Sequence, residues 1–573
     1  MTGVERVLSS SPVVRSAGPR TLFLVGAMVT TAILLWTYQW RLGNDRHGLS
    51  TIFFVLFAYK DYTGTVCALL ILVGSLFGSR YPPGRRVVQW AGDHPLVIAV
   101  ITALLLALGT LIIYHNHPLA MDEYAAYFQS RVFAAGRLHG RFPAPLLDWL
   151  IPPGFQDYFL NVSRATGSVA ETYWPGFALL LTPFMWAGVP WLCNPVISAL
   201  TLLVIHRLAL ELFDDREAAG FALLLTIASP VIFANGISYY SMPAHLLANS
   251  VFALLLVLPT PLRAAAAGVV GSLALALHNP VPHMLFAAPW LVWVATRPGG
   301  ARLFALLIAG YMPLCTLLGL GWFLFCGHLL REGLVSDTAS VATVDRLRTM
   351  IETFSLPNAT VVLARFIGIA KTWVWAVPGL MILAAVGTVK WRRNVLCRLL
   401  TASALLTLFG YFFVPVDQGH GWGYRYFHSA WIALPLLATA ALFRAAGESS
   451  SPARLFEDNE TKCFVAACIL LTLVFGVGFR AWQMQDFVAR DVSQVPQYKG
   501  AERRVAIIYD RFSFYGGDLV QNDPWLRGNE IRMYSHGAAA DQQMMAQYYP
   551  ELHRVYADRY GTVWSQAPDP ASK

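Results

Sequence analysis

Residues 95–138 read PLVIAVITALLLALGTLIIYHNHPLAMDEYAAYFQSRVFAAGRL, and the change of character inside this stretch decides the fold. Its first part, 95–114, is an unbroken apolar run. About 20 such residues suffice for a helix to cross a bilayer. The run ends in Tyr114-His115-Asn116-His117, and the acidic pair Asp122–Glu123 follows at once. From there Tyr124, Tyr127, Phe128, Val132 and Phe133 recur at helical spacing. That spacing predicts an amphipathic helix lying along the membrane surface. A span that delivers two carboxylates to the lipid–water boundary belongs to a polytopic membrane protein, not to a soluble core.

The rest of the 573-residue chain repeats the apolar theme, with 56% hydrophobic and only 13% charged residues. A soluble domain carries roughly twice that share of charge, so soluble, disordered and disulfide-scaffold classes are excluded. Roughly fourteen runs approach the length of a span: 21–41, 62–79, 95–114, 173–190, 195–213, 217–235, 243–260, 263–277, 281–296, 302–327, 366–389, 397–414, 427–445 and 461–480. The first run has no small-residue cleavage site after it and reads as a retained span. The net charge of +9 comes from 42 Lys and Arg against 33 Asp and Glu. Those cations sit in short loops: Arg6, Arg15 and Arg20, then Arg80, Arg85 and Arg86, then Arg297 and Arg302, then KWRRNVLCR at 390–398. The positive-inside bias makes these loops cytoplasmic and removes the reason to invoke nucleic acid. Segments 115–172, 328–365 and 415–426, and everything after 480, then face the other side.

Fourteen full crossings conflict with a C-terminus outside. The run 173–190, interrupted by Pro175, Pro183 and Pro190, is expected to be re-entrant or tilted. The expected fold class is therefore an all-α polytopic membrane protein of about 13 transmembrane helices. A small α/β extracytoplasmic domain closes the chain at 495–573: strands at 504–510, 532–536 and 554–561, and a helix in ADQQMMAQYYPEL. The seven cysteines form no C-x-x-C pair and read as buried thiols.

Chemistry gathers at the outer ends of the runs. Asp122 and Glu123 can cap the helix they open, or place a carboxylate at the boundary as general base or cation ligand. In DQGHGWGYRYFHSAWIALPLL (417–437), Arg425 sits just inside a span on the side where the charge bias disfavours arginine. Its planar fork suits a phosphate oxygen, with His420, Trp422, Tyr424, Tyr426 and His428 around it. Glu171, Tyr173 and Trp174, then Tyr239, Tyr240 and His245 in SYYSMPAH, and His278 and His283 in HNPVPH are further candidates to line one cavity. His206–Arg207 with Asp214 and Asp215 reads as a snorkelling ion-pair cluster at the cytoplasmic end of a span. The Asn161-Val162-Ser163 sequon reads as chance. There is no Walker loop, no G-x-G-x-x-G after a strand, no H-E-x-x-H and no G-x-S-x-G, so a donor activated in advance is the chemical alternative.

The acidic pair, the helix ending in A-A-G-R-L and YWPGFALLLTPFMWAG resemble the opening of the GT-C glycosyltransferases. The likeness is to the bacterial branch related to dolichyl-phosphate-mannose protein mannosyltransferases and lipid A aminoarabinose transferases. ELFDDREAAGFALLLTIASPVIFANGISYYS resembles their next block, and GWGYRYFHSAWIALPLL their late arginine-bearing span. The resemblance covers roughly 95–445, so 1–94 is an added pair of helices before a catalytic domain at 95–480. It implies a multi-pass protein of the bacterial inner membrane with its site on the periplasmic face. There a sugar passes, with inversion, from a polyprenyl-phosphate donor to a glycan, lipid or protein acceptor. It assigns Asp122, with Glu123 beside it, as the essential acid and Arg425, helped by His428 or His420, as the phosphate contact. Some members use a divalent cation and others none. No residue cluster here has metal-ligand spacing, so no metal is assigned. A flippase for lipid-linked saccharides predicts inverted repeats and mid-membrane charge, neither of which is visible. An O-antigen-type polymerase would need a long late loop rich in arginine. A tail that recognises a partner chain in the cell wall is the remaining alternative.

Overall fold

The computed structural model describes residues 19–44, 60–78, 83–331, 354–415, 420–444, 456–498, 503–510 and 516–566. Arg6, Arg15, Arg80 and Asp417, most of 328–365, and the side chains of Arg20 and His420 lie outside the described residues.

The apolar runs form helices. Two precede the stretch quoted above, α1 (Pro19–Asn44) and α2 (Asp61–Gly78), followed by the short α3 (Pro83–Asp93). Next come α4 (Pro95–Ile112), α5 (Met121–Ala134), α6 (Gly176–Trp186), α7 (Cys193–Phe213), α8 (Arg216–Ile227) and α9 (Pro230–Gly236). The middle of the chain holds α10 (Met242–Val257), α11 (Pro261–Ala276), α12 (Val281–Thr296) and the long α13 (Gly300–Leu330). The last group is α14 (Ala359–Val374), α15 (Leu380–Lys390), α16 (Val395–Gly410), α17 (Ala433–Leu442) and α18 (Asn459–Val492).

Among the described residues five helices are long and apolar enough to cross a membrane: Pro95–Ile112, Pro190–Phe213, Gly300–Leu330, Val395–Phe413 and Asn459–Val492. A sixth results if α8 and α9 count as one span bent by 62° at Ser229-Pro230, where proline removes a backbone donor. The other apolar helices are shorter. With 11 residues α6 is about 16 Å long, half the hydrocarbon thickness.

Small residues let the helices close up. A Cβ on Gly268 of α11 would stand 2.1 Å from the Leu307 carbonyl oxygen of α13, and one on Gly310 2.2 Å from that of Ala265. That is the small-residue packing expected where lipid offers no hydrophobic drive between helices. One large core, with Trp290, Trp375 and Trp431 fully buried, runs through the bundle. The second helix is tied to it by charge: Asp61 at the start of α2 receives Lys371 Nζ at 2.7 Å and Trp375 Nε1 at 2.7 Å. At the other end, Arg207 pairs with Glu211 at 2.5 Å rather than with the two aspartates, and His206 meets the Gly92 carbonyl. Asp215 caps α8 instead.

Between α5 and α6 the chain builds an antiparallel sheet, β1 (Gly140–Arg141), β2 (Leu160–Val162) and β3 (Ser168–Glu171), in the order β1-β3-β2. The sequon residue Asn161 is buried in β2, its amide donating to the Glu171 carbonyl. A two-residue hairpin, β4 (His420–Gly421) and β5 (Gly423–Tyr424), precedes α17. After α18 come β6 (Arg504–Ile508), β7 (Glu530–Tyr534), the helix α19 (Ala538–Tyr548), β8 (His553–Ala557) and β9 (Gly561–Ser565). They form a four-stranded sheet ordered β7-β6-β9-β8, parallel only between β6 and β7.

Two expectations need correction. The single strand at 554–561 is a hairpin, because Asp558 Oδ1 accepts from the N–H groups of Tyr560 and Gly561 and turns the chain. And the apolar stripe of α5 does not face lipid. Met121, Tyr124, Phe128 and Val132 share one core with Val505 and Ile507 of β6, Ile531 and Met533 of β7, and Met544 of α19, while Ala126 packs on Phe177 and Leu181 of α6.

Candidate active site

The first turn of α5 carries the acidic pair, and neither acid caps it: Ala120 stands at the cap position without a side-chain bond. Each carboxylate points elsewhere. Asp122 Oδ2 accepts from Arg425 Nη1 at 2.9 Å, and its Oδ1 from the Tyr173 hydroxyl at 2.5 Å. Glu123 accepts from the Tyr114 hydroxyl and from the Tyr239 N–H, both at 2.8 Å, and is fully buried.

Arg425 is delivered by the β4–β5 hairpin. Gly423 at its tip has φ +82 and lies so close to Val231 that a Cβ would come within 2.5 Å of it. The guanidinium then lies over the Tyr240 ring, 4.7 Å from its centroid, a favourable cation–π placement. Tyr240 is fixed by Asn194 of α7, whose amide donates to the Ser238 and Tyr240 carbonyls at 2.7 and 2.8 Å. Opposite, the Tyr173 ring stacks against His278 with centroids 3.8 Å apart, and Trp174 N–H bonds the His278 carbonyl. Five segments far apart in sequence thus meet at one point.

The two acids differ in charge. Burial pushes the Asp122 carboxyl upward, but Arg425 and the Tyr173 hydroxyl outweigh it and hold the group below its ordinary value, so it is ionised at neutral pH. Burial pushes Glu123 up to about 8, against the hydrogen bonds from Tyr239 and Tyr114. It is therefore largely protonated at pH 7. His278 is lowered to about 4, first by burial, and is neutral.

The remaining candidates fall in other places. His283 is held between Asn249 Oδ1 and the Tyr311 hydroxyl, each at 2.6 Å, and serves the packing of α10, α12 and α13. Of the two histidines in HNPVPH, it is His278 that reaches Asp122. Glu171 ends β3, 1% exposed, with Oε2 lacking a hydrogen-bond partner and its carboxyl held well above the ordinary range by burial. Tyr239 joins the Glu123 side, its hydroxyl bonded to Asn116. Tyr424 packs its ring on Gly368. His245 is buried among His278, His283 and His428 with both ring nitrogens unpartnered. His428 borders a cavity of about 10 Å³ with Ser198, Thr201 and Thr226. His420 takes part through its backbone, paired with Tyr424.

Sequence reasoning did not single out Tyr114, which looks like the aromatic end of an apolar run, nor Asp518, 397 residues from Met121 whose N–H it accepts at 3.0 Å. An apolar groove of about 500 Å³ runs along α4, lined among others by Leu105, Gly109, Ile113, Phe233 and Val477. Among the described residues no group of three or more His, Cys, Asp or Glu could hold a metal ion.

No family profile and no curated protein matches the chain. Solved structures do. The crystal structure of ArnT from Cupriavidus metallidurans bound to undecaprenyl phosphate matches with a TM-score of 0.50 at 12% identity, over 82% of this chain and 99% of that one. The same protein in the apo state matches with a TM-score of 0.50 at 12% identity, over 84% and 100%. A common course over nearly the whole length of ArnT, at so low an identity, is a likeness of architecture: the chain shares the fold of ArnT and carries several apolar helices long enough to cross a membrane.

Proposed function

We propose that the protein is a membrane glycosyltransferase that takes a hexose or pentose from a polyprenyl-phosphate donor. It transfers the sugar, with inversion, to a glycan, lipid or protein acceptor on the periplasmic side of the bacterial inner membrane. The observation that carries this reading is the Asp122–Arg425 pair, 303 residues apart in sequence and 2.9 Å apart in space. The apolar groove along α4 suits an isoprenoid chain, and the neighbour bound to undecaprenyl phosphate has the same fold. In this reading about thirteen helices cross the bilayer, α6 is re-entrant, and the sheet after α18 lies outside.

Asp122 is the base and Arg425 the phosphate clamp, with His428 and His420 on the donor side. A lipid phosphate competes with Asp122 for the guanidinium fork. Once Arg425 turns to the phosphate, Asp122 loses its main stabilising charge and becomes more basic, so the base is armed when the donor is seated. The acceptor hydroxyl then attacks the anomeric carbon from the face opposite the phosphate. Its proton goes to Asp122, the C1–O bond to phosphate breaks, and polyprenyl phosphate departs with that electron pair, stabilised by Arg425. Glu123, neutral and sealed by Tyr114 and Tyr239, supports the turn.

The test uses purified protein in nanodiscs, radiolabelled undecaprenyl-phosphate hexoses and pentoses, and an extract of bacterial envelope lipids, glycans and proteins. Label entering an acceptor with equimolar release of undecaprenyl phosphate is the expected result. Movement of intact donor between leaflets without bond cleavage would overturn the reading in favour of a flippase.

A further inference from the structure

Helix α5 carries the acid assigned as base, yet its first turn is held by residues almost four hundred positions later. The Met121 N–H, one of the orphan donors of any helix start, is bonded at 3.0 Å by Asp518 Oδ1. Asp518 is 7% exposed, in the turn Gly516–Leu519. The residues after it continue the grip. Gln521 Nε2 donates to the Pro118 carbonyl at 2.6 Å. The Tyr124 hydroxyl donates to the Asn522 carbonyl at 2.6 Å and accepts from its N–H at 2.7 Å. Asp523 pairs with Arg131 near the far end of α5, and the Pro524 carbonyl accepts from Arg141 of β1. Asn522 is itself bolted to β7 by paired bonds with the Arg532 backbone.

We propose that Asp518 is a positioning residue for catalysis: the C-terminal sheet fixes the rotational register of α5, and so decides which of two adjacent acids meets Arg425. This rests on the base role given to Asp122. The reason is angular. Neighbouring residues on a helix point about 100° apart, so a slip of one position in the first turn withdraws Asp122 and offers Met121 or Glu123 to the guanidinium. Met121 is the residue that Asp518 holds. Burial keeps the Asp518 carboxyl well above the ordinary range. A neutral carboxyl or an amide oxygen accepts the Met121 N–H equally.

The experiment compares Asp518→Ala, Asp518→Asn and the control His536→Ala in full-length protein in nanodiscs. His536 makes another contact of the same sheet, to the Asp148 carbonyl. Asp518→Ala should lower kcat at least about tenfold with donor KM within about threefold, since misplacement acts on the reacting geometry. It should also speed hydrogen exchange of the peptide covering 119–126 by about tenfold. Asp518→Asn should restore both to within about threefold of the parent, and His536→Ala should leave both unchanged. Parent-like kcat or parent-like exchange in Asp518→Ala overturns the proposal, as does an Asp518→Asn variant no better than alanine. If Asp518→Ala does not fold, Tyr124→Phe, which loses only the hydroxyl that grips Asn522, must show faster exchange and a lower kcat, or the proposal falls. A parent protein that transfers no sugar refutes the function reading instead, and the exchange data alone then decide whether Asp518 fixes the helix.

Discussion

Two buried carboxylates in this molecule are built from the same parts and behave as opposites. Asp61 meets Lys371, the Trp375 indole at 2.7 Å and Arg480 at 3.5 Å, with Arg480 lying 4.1 Å over the Trp375 ring. Asp122 meets Arg425 and the Tyr173 hydroxyl, with Arg425 lying 4.7 Å over the Tyr240 ring. The side chains of the Asp61–Lys371 pair have no exposure at all, whereas Arg425 and Asp122 keep 8% and 13%. Arg480 also donates to the Lys60 carbonyl and to Gln483. The first cluster holds three helices together with no room to exchange partners. The second is assembled from loop and helix ends, where a competing anion can take the guanidinium. What separates a rivet from the proposed reaction centre here is access, not residue type.

The largest effect should come from Asp122→Asn. The amide keeps the size and a hydrogen-bond acceptor but cannot take a proton, so transfer per folded molecule should fall about 10²–10⁴-fold. Parent activity in this variant would erase the distinction between the two clusters. Asp61→Ala should do the reverse. It leaves Lys371 and Arg480 buried without their counter-ion, a loss of about 3–5 kcal/mol, read as a lower unfolding temperature and poor recovery of folded protein. Activity per folded molecule should stay within about twofold, because no atom of this cluster touches the reacting groups. Arg425→Lys keeps the charge but loses the fork, so donor KM should rise about tenfold with a smaller change in kcat.

The same contrast explains what could be read in the sequence. The apolar runs announced the bundle, and the acidic pair after 95–114 and the arginine at 425 named the two side chains that meet in the candidate site. Each signal is local. Asp61 gives no such signal, because an aspartate at the start of an apolar run reads as an ordinary helix start. The stripe on α5 shows that an apolar face is needed but not whether lipid or protein meets it; the answer, β6 and β7, lies some 380 residues on. His278 and His283 share one short motif and one composition. The first precedes α12 and stacks against Tyr173, whereas the second lies within α12 and its packing. The hairpin at 553–565 hid for a similar reason: Tyr556 and Tyr560 continue an alternating pattern across the turn that Asp558 makes.

The smallest predicted effect tests whether adjacency to Asp122 is enough to make an acid matter to the reaction. Glu123 is next in sequence, wholly buried, and raised to about 8 by that burial. Because its folded-state value lies above its ordinary value of 4.5, the native state favours the protonated form. The stability this gives is complete below the ordinary value and is lost as pH climbs through about 8. The parent's unfolding temperature should therefore decline from pH 6 to pH 9. Glu123→Gln, neutral at every pH and still able to accept from the Tyr239 N–H while its amide N–H donates to the Tyr114 hydroxyl, should flatten that decline. It should keep transfer at pH 7 within about threefold, because a group already protonated there loses little on becoming an amide. A loss as large as that of Asp122→Asn would instead mean that the two acids work as one unit, and the seal formed by Tyr114 and Tyr239 would have to open during the reaction.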